Sequence, residues 1–296
     1  MNPPTRDVVA RKRAGLIGLG LMGHAFARRL LAAGWEVTGF DVVPACRARA
    51  KKLGVRIARN SAAVFTVCNQ VLLSLPTLRE TEIVLRDAEP ALRPGHLILD
   101  TTTGEPEQAE AIHHRLATQG VRYLDATVSG NSEQVASGDD VLTMVGGDAD
   151  AFAAARKLLR TITPRVRHVG PCGSGARMKL VTNLVLGLNR AVLAEGLCFA
   201  EQLGFTRRAA LDVLLASKAY SAVMDTKGEK MVTEDFTPQA RLSQHLKDVR
   251  LMLAAAKAKR FPLPLTTAHR KLLEAAEAAG LGALDNCALI KVLARR

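Results

Sequence analysis

A lysine and an asparagine lie four positions apart in a long apolar segment near the middle of the chain. Lys179 and Asn183 share one face of the helix that residues 176–203 are predicted to form. Because lysine is rarely buried without a partner, a lysine here is expected to line a cavity or contact a ligand. Burial or a nearby cation lowers the pKa of a lysine toward neutrality, which suits a general acid and base. Spacing alone leaves open a lysine whose ammonium group reaches solvent at the helix start.

A glycine-rich turn near the start of the chain has the spacing of a dinucleotide-binding turn. Gly18, Gly20 and Gly23 fit G-x-G-x-x-G between a predicted strand and a predicted helix, with Leu21 and Met22 between the last two glycines. The first glycine permits a tight turn, the second lets the backbone approach a pyrophosphate, and the third lets the helix pack closely on the strand. The N–H groups at the helix N-terminus then face the anion, which predicts a bound dinucleotide.

An acid at the end of the second predicted strand bears on the choice of cofactor. Asp41 lies where a carboxylate accepts hydrogen bonds from the adenosine ribose. Since this charge repels a 2′-phosphate, NAD is expected in preference to NADP. Two alternatives stay open: Asp41 caps the turn that follows it, or Arg47 or Arg49 turns toward the ribose and offsets the charge.

Short apolar runs alternate with helical patterns through the first half of the chain. The runs predicted as strands are residues 14–18, 36–40, 71–75, 96–99, 121–124 and 141–145. Such alternation is typical of βαβ units around a parallel sheet. After a Gly-, Pro- and Ser-containing break at residues 170–175, only helical patterns remain, and the first helix is apolar all round, which indicates burial. The sequence therefore predicts an α/β Rossmann domain, residues 1–172, followed by an all-α domain, residues 173–296.

The composition argues against several classes of protein. Residues 1–13 form a polar tail without a secretory signal, and no apolar stretch reaches the ~18 residues of a membrane span, so we expect a cytoplasmic protein without membrane contact. The net charge of +13 is spread along the chain and aromatic residues make up only 4%, so no nucleic-acid partner is expected. Five cysteines without a CxxC pair, and no cluster of acids or histidines, predict neither disulfides nor a metal.

Taken together, these segments resemble the β-hydroxyacid dehydrogenase family, which includes 3-hydroxyisobutyrate dehydrogenase and tartronate semialdehyde reductase. The resemblance covers residues 14–293 and rests on motifs in the same order. They are GLGLMG at residues 18–23, LP at 75–76, DTTTGEP at 100–106, DATVSG at 125–130, GSGARMKLVTN at 173–183 and LKD at 246–248.

The resemblance implies a role for Lys179 in the reaction. It would accept the proton of a substrate hydroxyl while hydride passes to the nicotinamide, and would return the proton in the reverse reaction. Ser129, Gly130 and Asn183 would bind a small carboxylate substrate, and Asp248 would lie beside them.

The resemblance also implies cofactor contacts and an assembly. Leu75, Pro76 and Thr103 would contact the dinucleotide, and Lys247 would lie near the nicotinamide and lower the pKa of Lys179. On sequence alone, Lys247 and the following Asp248 read as a surface ion pair. Relatives assemble through the helical domain, so a homodimer or homotetramer is expected.

Two departures from the family pattern concern the substrate loop. Asn131 stands where the family has a second glycine, which adds a side chain to the predicted substrate site, and Thr127 replaces a proline and is expected to loosen the loop. A substrate more hydroxylated than 3-hydroxyisobutyrate, or different in size, is therefore expected. The alternatives are an imine or other carbonyl reductase, against which Lys179 argues, and a non-catalytic Rossmann-fold binding module.

Overall fold

The computed structural model describes residues 12–139 and 141–294. The predicted polar tail therefore lies almost entirely outside the described residues. The chain divides into two compact units, the first ending at Lys179 and the second beginning at Leu180. This division falls within a continuous helix, C-terminal to the predicted boundary after residue 172.

The first unit is an α/β sheet domain, as predicted. Its described strands are β1 Arg13–Ile17, β2 Glu36–Phe40, β3 Arg56–Ile57, β4 Gln70–Leu73, β5 Leu97–Asp100, β6 Arg122–Ser129, β7 Leu142–Gly146 and β8 Arg165–Gly170. Its helices are α1 Leu21–Ala32, α2 Pro44–Leu53, α3 Ser61–Phe65, α4 Leu78–Ala88, α5 Pro106–Ala117, α6 Ser132–Ser137 and α7 Ala149–Ile162. Helix α8, Ser174–Gln202, begins in this unit and continues into the second.

The second unit is helical, also as predicted. Its helices are α9 Arg207–Ala216, α10 Glu229–Thr233, α11 Leu242–Ala258, α12 Pro264–Ala278 and α13 Ile290–Leu293, with a π-helical turn at Met224–Gly228 and a 3₁₀ turn at Asn286–Leu289. Apolar side chains of α8, α11 and α12, including Leu197, Leu246 and Leu273, are fully buried in its core. The predicted fold class, a Rossmann domain followed by an all-α domain, is confirmed.

The strand order places the carboxyl ends of several strands at one edge of the sheet. The order is β3-β2-β1-β4-β5-β6-β7-β8, parallel from β3 to β6, with β7 antiparallel to β6. The chain direction across the sheet reverses between β1 and β4, and ligands bind at such a switch point, outside the carboxyl ends of the strands. The loops after β1, β2, β4, β5 and β6 therefore share this edge.

Alternate residues of the central strands enter two separate cores. Leu72 and Leu99 pack with Phe26 on one face of the sheet, whereas Leu73 and Ile98 pack on the other. Strands buried on both faces read as continuous apolar runs, which is why β4 and β5 could be predicted. Burying each such side chain stabilises the domain by about 1.5–3 kcal/mol and keeps the strand ends fixed.

Two structural predictions were wrong in part. The strand predicted at residues 121–124 continues as β6 to Ser129, so most of the predicted substrate loop is strand. Helix α8 is not buried all round, because Val181, Val192 and Phe199 are 56%, 67% and 63% exposed. By length and composition α8 could cross a membrane, a test that the core helix of a soluble protein also meets.

Candidate active site

The turn between β1 and α1 depends on two glycines that approach other backbone atoms closely. Gly18 has φ +91°, and a Cβ there would lie 2.1 Å from the carbonyl oxygen of Ser74. A Cβ on Gly23 would lie 1.9 Å from the carbonyl oxygen of Gly18, so only glycine lets α1 begin this close to β1. These contacts agree with the roles of the first and third glycines of a dinucleotide turn.

The middle glycine instead faces open space. Gly20 is the N-cap of α1, and none of the described residues lies within 4 Å of its Cβ position. In this part of the chain no described side chain caps the helix, and no acid stands in its first turn. The N-terminal N–H groups, which include those of Leu21 and Met22, can therefore bind an anion such as a pyrophosphate. The turn thus fits the phosphate groups of NAD(P).

Asp41, directly after β2, accepts hydrogen bonds from two turns, the turn after β1 and the turn after β2. Its Oδ2 atom accepts a hydrogen bond from the Leu19 N–H at 2.7 Å, and its Oδ1 atom accepts one from the Val43 N–H at 2.8 Å. The capping alternative is therefore what the structure contains, although a carboxylate oxygen can accept further bonds from a ribose. Arg47 donates to the Asp41 carbonyl oxygen at 2.6 Å, and Arg49 to the Leu19 carbonyl oxygen at 3.3 Å.

The loops after β4 and β5 are joined by a hydrogen bond. Leu75 is half-buried and its N–H donates to Thr102 Oγ1 at 3.3 Å, while Pro76 is exposed. Thr103, also half-buried, follows Thr102. The three residues predicted to contact the cofactor after these strands thus lie in loops that start at the same sheet edge as the glycine turn.

The buried carboxylate of Asp100, at the end of β5, holds the loop after β5 in place. It was not among the predicted site residues. Asp100 accepts hydrogen bonds from the Thr102 N–H at 2.9 Å, Thr81 Oγ1 at 3.0 Å and Tyr123 Oη at 2.9 Å. Burial raises the pKa of Asp100, and these hydrogen bonds oppose the rise. An acid at the end of an apolar strand was the available signal, but two of its three partners, Thr81 and Tyr123, come from other elements, α4 and β6.

The predicted substrate residues follow the end of β6. Ser129 ends the strand, and Gly130 has φ +154° with no room for a Cβ, which would meet Val141 at 2.7 Å. Asn131 is the N-cap of α6: its Oδ1 atom accepts from the Gln134 N–H at 2.9 Å, and the Gln134 side chain accepts from the Asn131 N–H at 3.0 Å. Of the two polar groups in the Asn131 side chain, Nδ2 is thus the one outside this capping box.

Lys179 is anchored to the strand that carries these residues. Its side chain is buried, 8% exposed for the residue, and its Nζ atom donates to the Val128 carbonyl oxygen at 2.6 Å. The alternative of an ammonium group in solvent is therefore wrong. The carbonyl belongs to the residue directly before Ser129, so strand β6 holds the lysine beside the first of the predicted substrate residues, Ser129.

The N-terminus of α8 is capped from β6 by an acid that was not among the predicted site residues. Asp125 accepts hydrogen bonds from the Gly173 N–H at 2.9 Å and the Ala176 N–H at 2.7 Å. Burial raises the pKa of Asp125, opposed by these two backbone donors. Among the described residues around the break, Cys172 is also buried, and burial raises the pKa of its thiol, which makes it a poor nucleophile.

The expectation that Thr127 loosens the loop is wrong. Thr127 is fully buried, and its hydroxyl donates to the Gly175 carbonyl oxygen at 2.9 Å. A threonine at this position therefore joins β6 to the first turn of α8.

In the helical unit, Asn183 is held by an acid from α11. Its Nδ2 atom donates to Asp248 Oδ2 at 2.9 Å, and Lys247 Nζ lies 3.3 Å from Asp248 Oδ1. Asn183 and Asp248 are both buried, so the expected surface ion pair is one whose carboxylate is buried and also orients an amide. Within residues 12–139 and 141–294, no group of three or more His, Cys, Asp or Glu side chains is placed to hold a metal ion.

Comparison with known proteins agrees with this geometry. Residues 13–170 match the family described as the NAD binding domain of 6-phosphogluconate dehydrogenase, and residues 173–293 match that of the NAD-binding domain of NADP-dependent 3-hydroxyisobutyrate dehydrogenase. The chain is 33% identical to L-threonate dehydrogenase of Cupriavidus necator, over 95% of this chain and 96% of that protein. It is 32% identical to 2-(hydroxymethyl)glutarate dehydrogenase of Eubacterium barkeri, over 95% and 94%.

A solved structure gives the same result. The crystal structure of 3-hydroxyisobutyrate dehydrogenase from Salmonella typhimurium superposes with a TM-score of 0.88 at 27% identity, over 95% of this chain and 99% of that one. The fold and the glycine turn define an NAD(P)-dependent oxidoreductase. More closely, the chain belongs to the β-hydroxyacid dehydrogenase family, as the sequence motifs predicted.

Proposed function

We propose that this chain oxidises the hydroxyl group of a small 3-hydroxy acid, or reduces the matching semialdehyde, with Lys179 as general acid and base. One observation carries the proposal: the buried Lys179 Nζ atom lies 2.6 Å from the Val128 carbonyl oxygen, at the start of the Ser129 and Gly130 loop. An ammonium group is costly to bury, so its retention beside this loop supports a role in chemistry.

In this proposal the Nζ atom of Lys179 takes up and returns the proton. In the oxidation, the neutral Lys179 Nζ takes the proton of the substrate hydroxyl, and in the reduction it returns that proton to the carbonyl oxygen. When bound, NAD(P) supplies the hydride acceptor or donor. The Val128 carbonyl oxygen accepts a hydrogen bond from Nζ, which orients the remaining lone pair or N–H toward the reacting oxygen.

The end of β6 and the turn after it support binding of a small carboxylate. We assign Ser129 and Gly130 to the carboxylate. From the family motif we assign Asn183, which Asp248 orients within the helical unit, to the hydroxyl or carboxylate. Because the capping box engages Asn131 through Oδ1, its contribution to the substrate would come from the Nδ2 donor. An added donor favours an acid that carries a further hydroxyl or carboxylate group.

Initial rates with a panel of acids test the proposal. The panel contains L-threonate, 2-(hydroxymethyl)glutarate, 3-hydroxyisobutyrate and glycerate, each followed by NADH or NADPH absorbance. Turnover of one acid is expected. No turnover of any acid, together with reduction of a cyclic imine, would favour the imine reductase alternative. Cofactor binding without any turnover would favour a non-catalytic module.

We propose NAD rather than NADP as the preferred cofactor, from the Asp41 carboxylate at the end of β2. Replacing Asp41 by serine removes the charge that opposes a 2′-phosphate and leaves Arg47 and Arg49 close by. The ratio of kcat/KM with NADP to kcat/KM with NAD is expected to rise by about tenfold, the change that ~1.4 kcal/mol produces. Initial rates with both cofactors measure this ratio.

A wild-type enzyme that already prefers NADP, or a ratio unchanged by Asp41→Ser, would contradict the preference. Glu36→Ser serves as the control, because Glu36 begins β2 and lies at the other end of the same strand. Its ratio should stay at the wild-type value.

We further propose that the chain forms a homo-oligomer, a dimer or tetramer, and works in the cytoplasm. The exposed apolar side chains of α8, which include Val192 and Phe199, support a contact with a second copy. All five cysteines are free thiols, which is typical of proteins in a reducing compartment.

Light scattering checks the oligomer. The wild type is expected at two or four times the chain mass of 31.7 kDa. Val192→Asp with Phe199→Asp is expected to shift the mass toward one chain, because the acids would be desolvated in the contact. Ile83→Asp, which changes an exposed side chain of α4, should leave it unchanged. A wild-type monomer at micromolar concentration would refute the proposal.

A further inference from the structure

The hydroxyl of Thr127 reaches the same carbonyl group as the backbone of Lys179. Thr127 lies on β6, is 0% exposed, and donates to the Gly175 carbonyl oxygen at 2.9 Å. Gly175 is in the first turn of α8, and its carbonyl accepts the Lys179 N–H in the i→i−4 pattern of an α-helix. The threonine hydroxyl and the lysine amide therefore converge on one oxygen atom.

Other residues of the same strand hold the start of α8 on either side of this bond. Asp125 shares a face of β6 with Thr127, because side chains alternate along a strand, and it caps the first N–H groups of the helix. The Val128 carbonyl accepts the hydrogen bond from Lys179 Nζ. Strand β6 thus contacts α8 at its N-terminus, in its first turn and at the reactive side chain.

Packing fixes the distance between α8 and the sheet, but not the rotation of the helix. A Cβ on Gly175 would lie 2.4 Å from the Asp125 carbonyl oxygen and 2.8 Å from that of Met144, so the helix start is pressed against two strands. Packing of this kind opposes approach and allows rotation about the helix axis. A directional hydrogen bond to the Gly175 carbonyl resists rotation and sliding, and it acts together with the two backbone hydrogen bonds that Asp125 accepts at the helix start.

We propose that Thr127 is a positioning residue whose hydroxyl fixes the rotation of the first turn of α8 and, through it, the place of Lys179 Nζ relative to Ser129 and Gly130. The inference rests on the proposed role of Lys179. Misplacement of a reacting group by about 1 Å can cost about 10²-fold in rate, so a small rotation has a measurable effect.

The experiment compares three variants of the full-length enzyme. Thr127→Val removes the hydroxyl and keeps the shape, Thr127→Ser keeps the hydroxyl, and Thr143→Val is the matched control. Thr143 is equally buried on the neighbouring strand β7, and its hydroxyl bonds to Thr163 rather than to α8. For each variant, kcat, KM, the Kd of the oxidised cofactor and the Tm are measured.

Thr127→Val is expected to lower kcat by about tenfold to a hundredfold, with KM and the cofactor Kd nearly unchanged. Thr127→Ser is expected to recover most of the wild-type kcat. Thr143→Val is expected to keep the wild-type kcat even if its Tm falls as far as that of Thr127→Val. If the valine variant does not fold, Thr127→Ala is compared with Thr127→Ser in the same assay.

Three results would overturn the inference: wild-type kcat in Thr127→Val, a serine variant as slow as the valine variant, or an equal loss in Thr143→Val. The proposed function fails separately, if Lys179→Ala turns over at the wild-type rate. An inactive Lys179→Ala together with a fully active Thr127→Val would leave the function standing and remove Thr127 from it.

Discussion

Replacing Lys179 by alanine is expected to lower kcat by about 10²–10⁴-fold, the usual contribution of a general acid or base. The side chain is buried with its Nζ atom on the Val128 carbonyl, and no other amine is proposed to serve the reacting oxygen. The cofactor turn at Gly18, Gly20 and Gly23 is not touched by the change. Cofactor binding, measured by calorimetry, should therefore stay within the range of the wild type.

A second variant and an added amine separate chemistry from packing. Lys179→Met keeps most of the length and removes the proton-carrying group, so it should be as slow as Lys179→Ala. Ethylamine added to the alanine variant should restore part of the rate, because a small amine can enter the space that the side chain leaves. Wild-type rates in either variant would remove Lys179 from the reaction.

Much of the fold and of the cofactor site could be predicted because the signals are local. The strand at residues 36–40 follows from an apolar run, and the turn at Gly18, Gly20 and Gly23 follows from glycine spacing. Both patterns can be recognised within a few residues of sequence. The parallel sheet follows from the alternation of strands and helices. The order of the strands then places the predicted cofactor residues at one edge without further information.

Side-chain partners could not be predicted in the same way, because they come from elements far apart in the chain. The hydrogen bond from Thr127 to Gly175 and the caps that Asp125 provides join residues about fifty positions apart. The exposed face of α8 was missed for a related reason: an apolar helix looks buried in sequence, and whether one chain covers all its faces depends on tertiary packing.

Asn131 has a structural role that its interpretation as a substrate-loop residue left out. It lies at the predicted substrate loop, but a helix begins directly after it, and the capping box with Gln134 engages its Oδ1 atom. Asparagine followed three residues later by glutamine before a short helix was a local capping signal. Asn131 therefore also holds the turn between β6 and α6 in place.

Replacing Asp285 by asparagine is expected to destabilise the helical unit by about 3–5 kcal/mol, the usual cost of breaking a buried ion pair. Asp285 is 0% exposed, and both its carboxylate oxygens lie 2.9 Å from Lys227 Nζ. It also accepts the Gln239 N–H at 2.9 Å. Arg190 is buried too: desolvation lowers its pKa to about 10, and the charge of Asp285 opposes that shift.

The pH dependence of the wild type follows from the same carboxylate. Burial by itself would raise the pKa of Asp285, but the Lys227 ammonium and the hydrogen bonds to the carboxylate hold it below the usual value. A depressed pKa in the folded state means that the stabilisation is present above the unfolded pKa of about 3.9 and is lost as the pH falls through the folded value. The wild-type Tm should therefore fall below about pH 4, and that of Asp285→Asn should fall less over the same range.

Glu229→Gln is the matched control for the charge change in the same unit. Glu229 pairs with Arg208 at 2.6 Å, but both side chains are exposed (58% and 47%), so water replaces the partner and little stability should be lost. Urea unfolding at neutral pH gives the comparison. Equal losses for Asp285→Asn and Glu229→Gln would mean that burial adds nothing to the Lys227 pair. Replacing Lys227 by methionine together with Asp285 by leucine removes both charges, and that double variant should be more stable than Asp285→Asn, because no buried ammonium is left without its carboxylate.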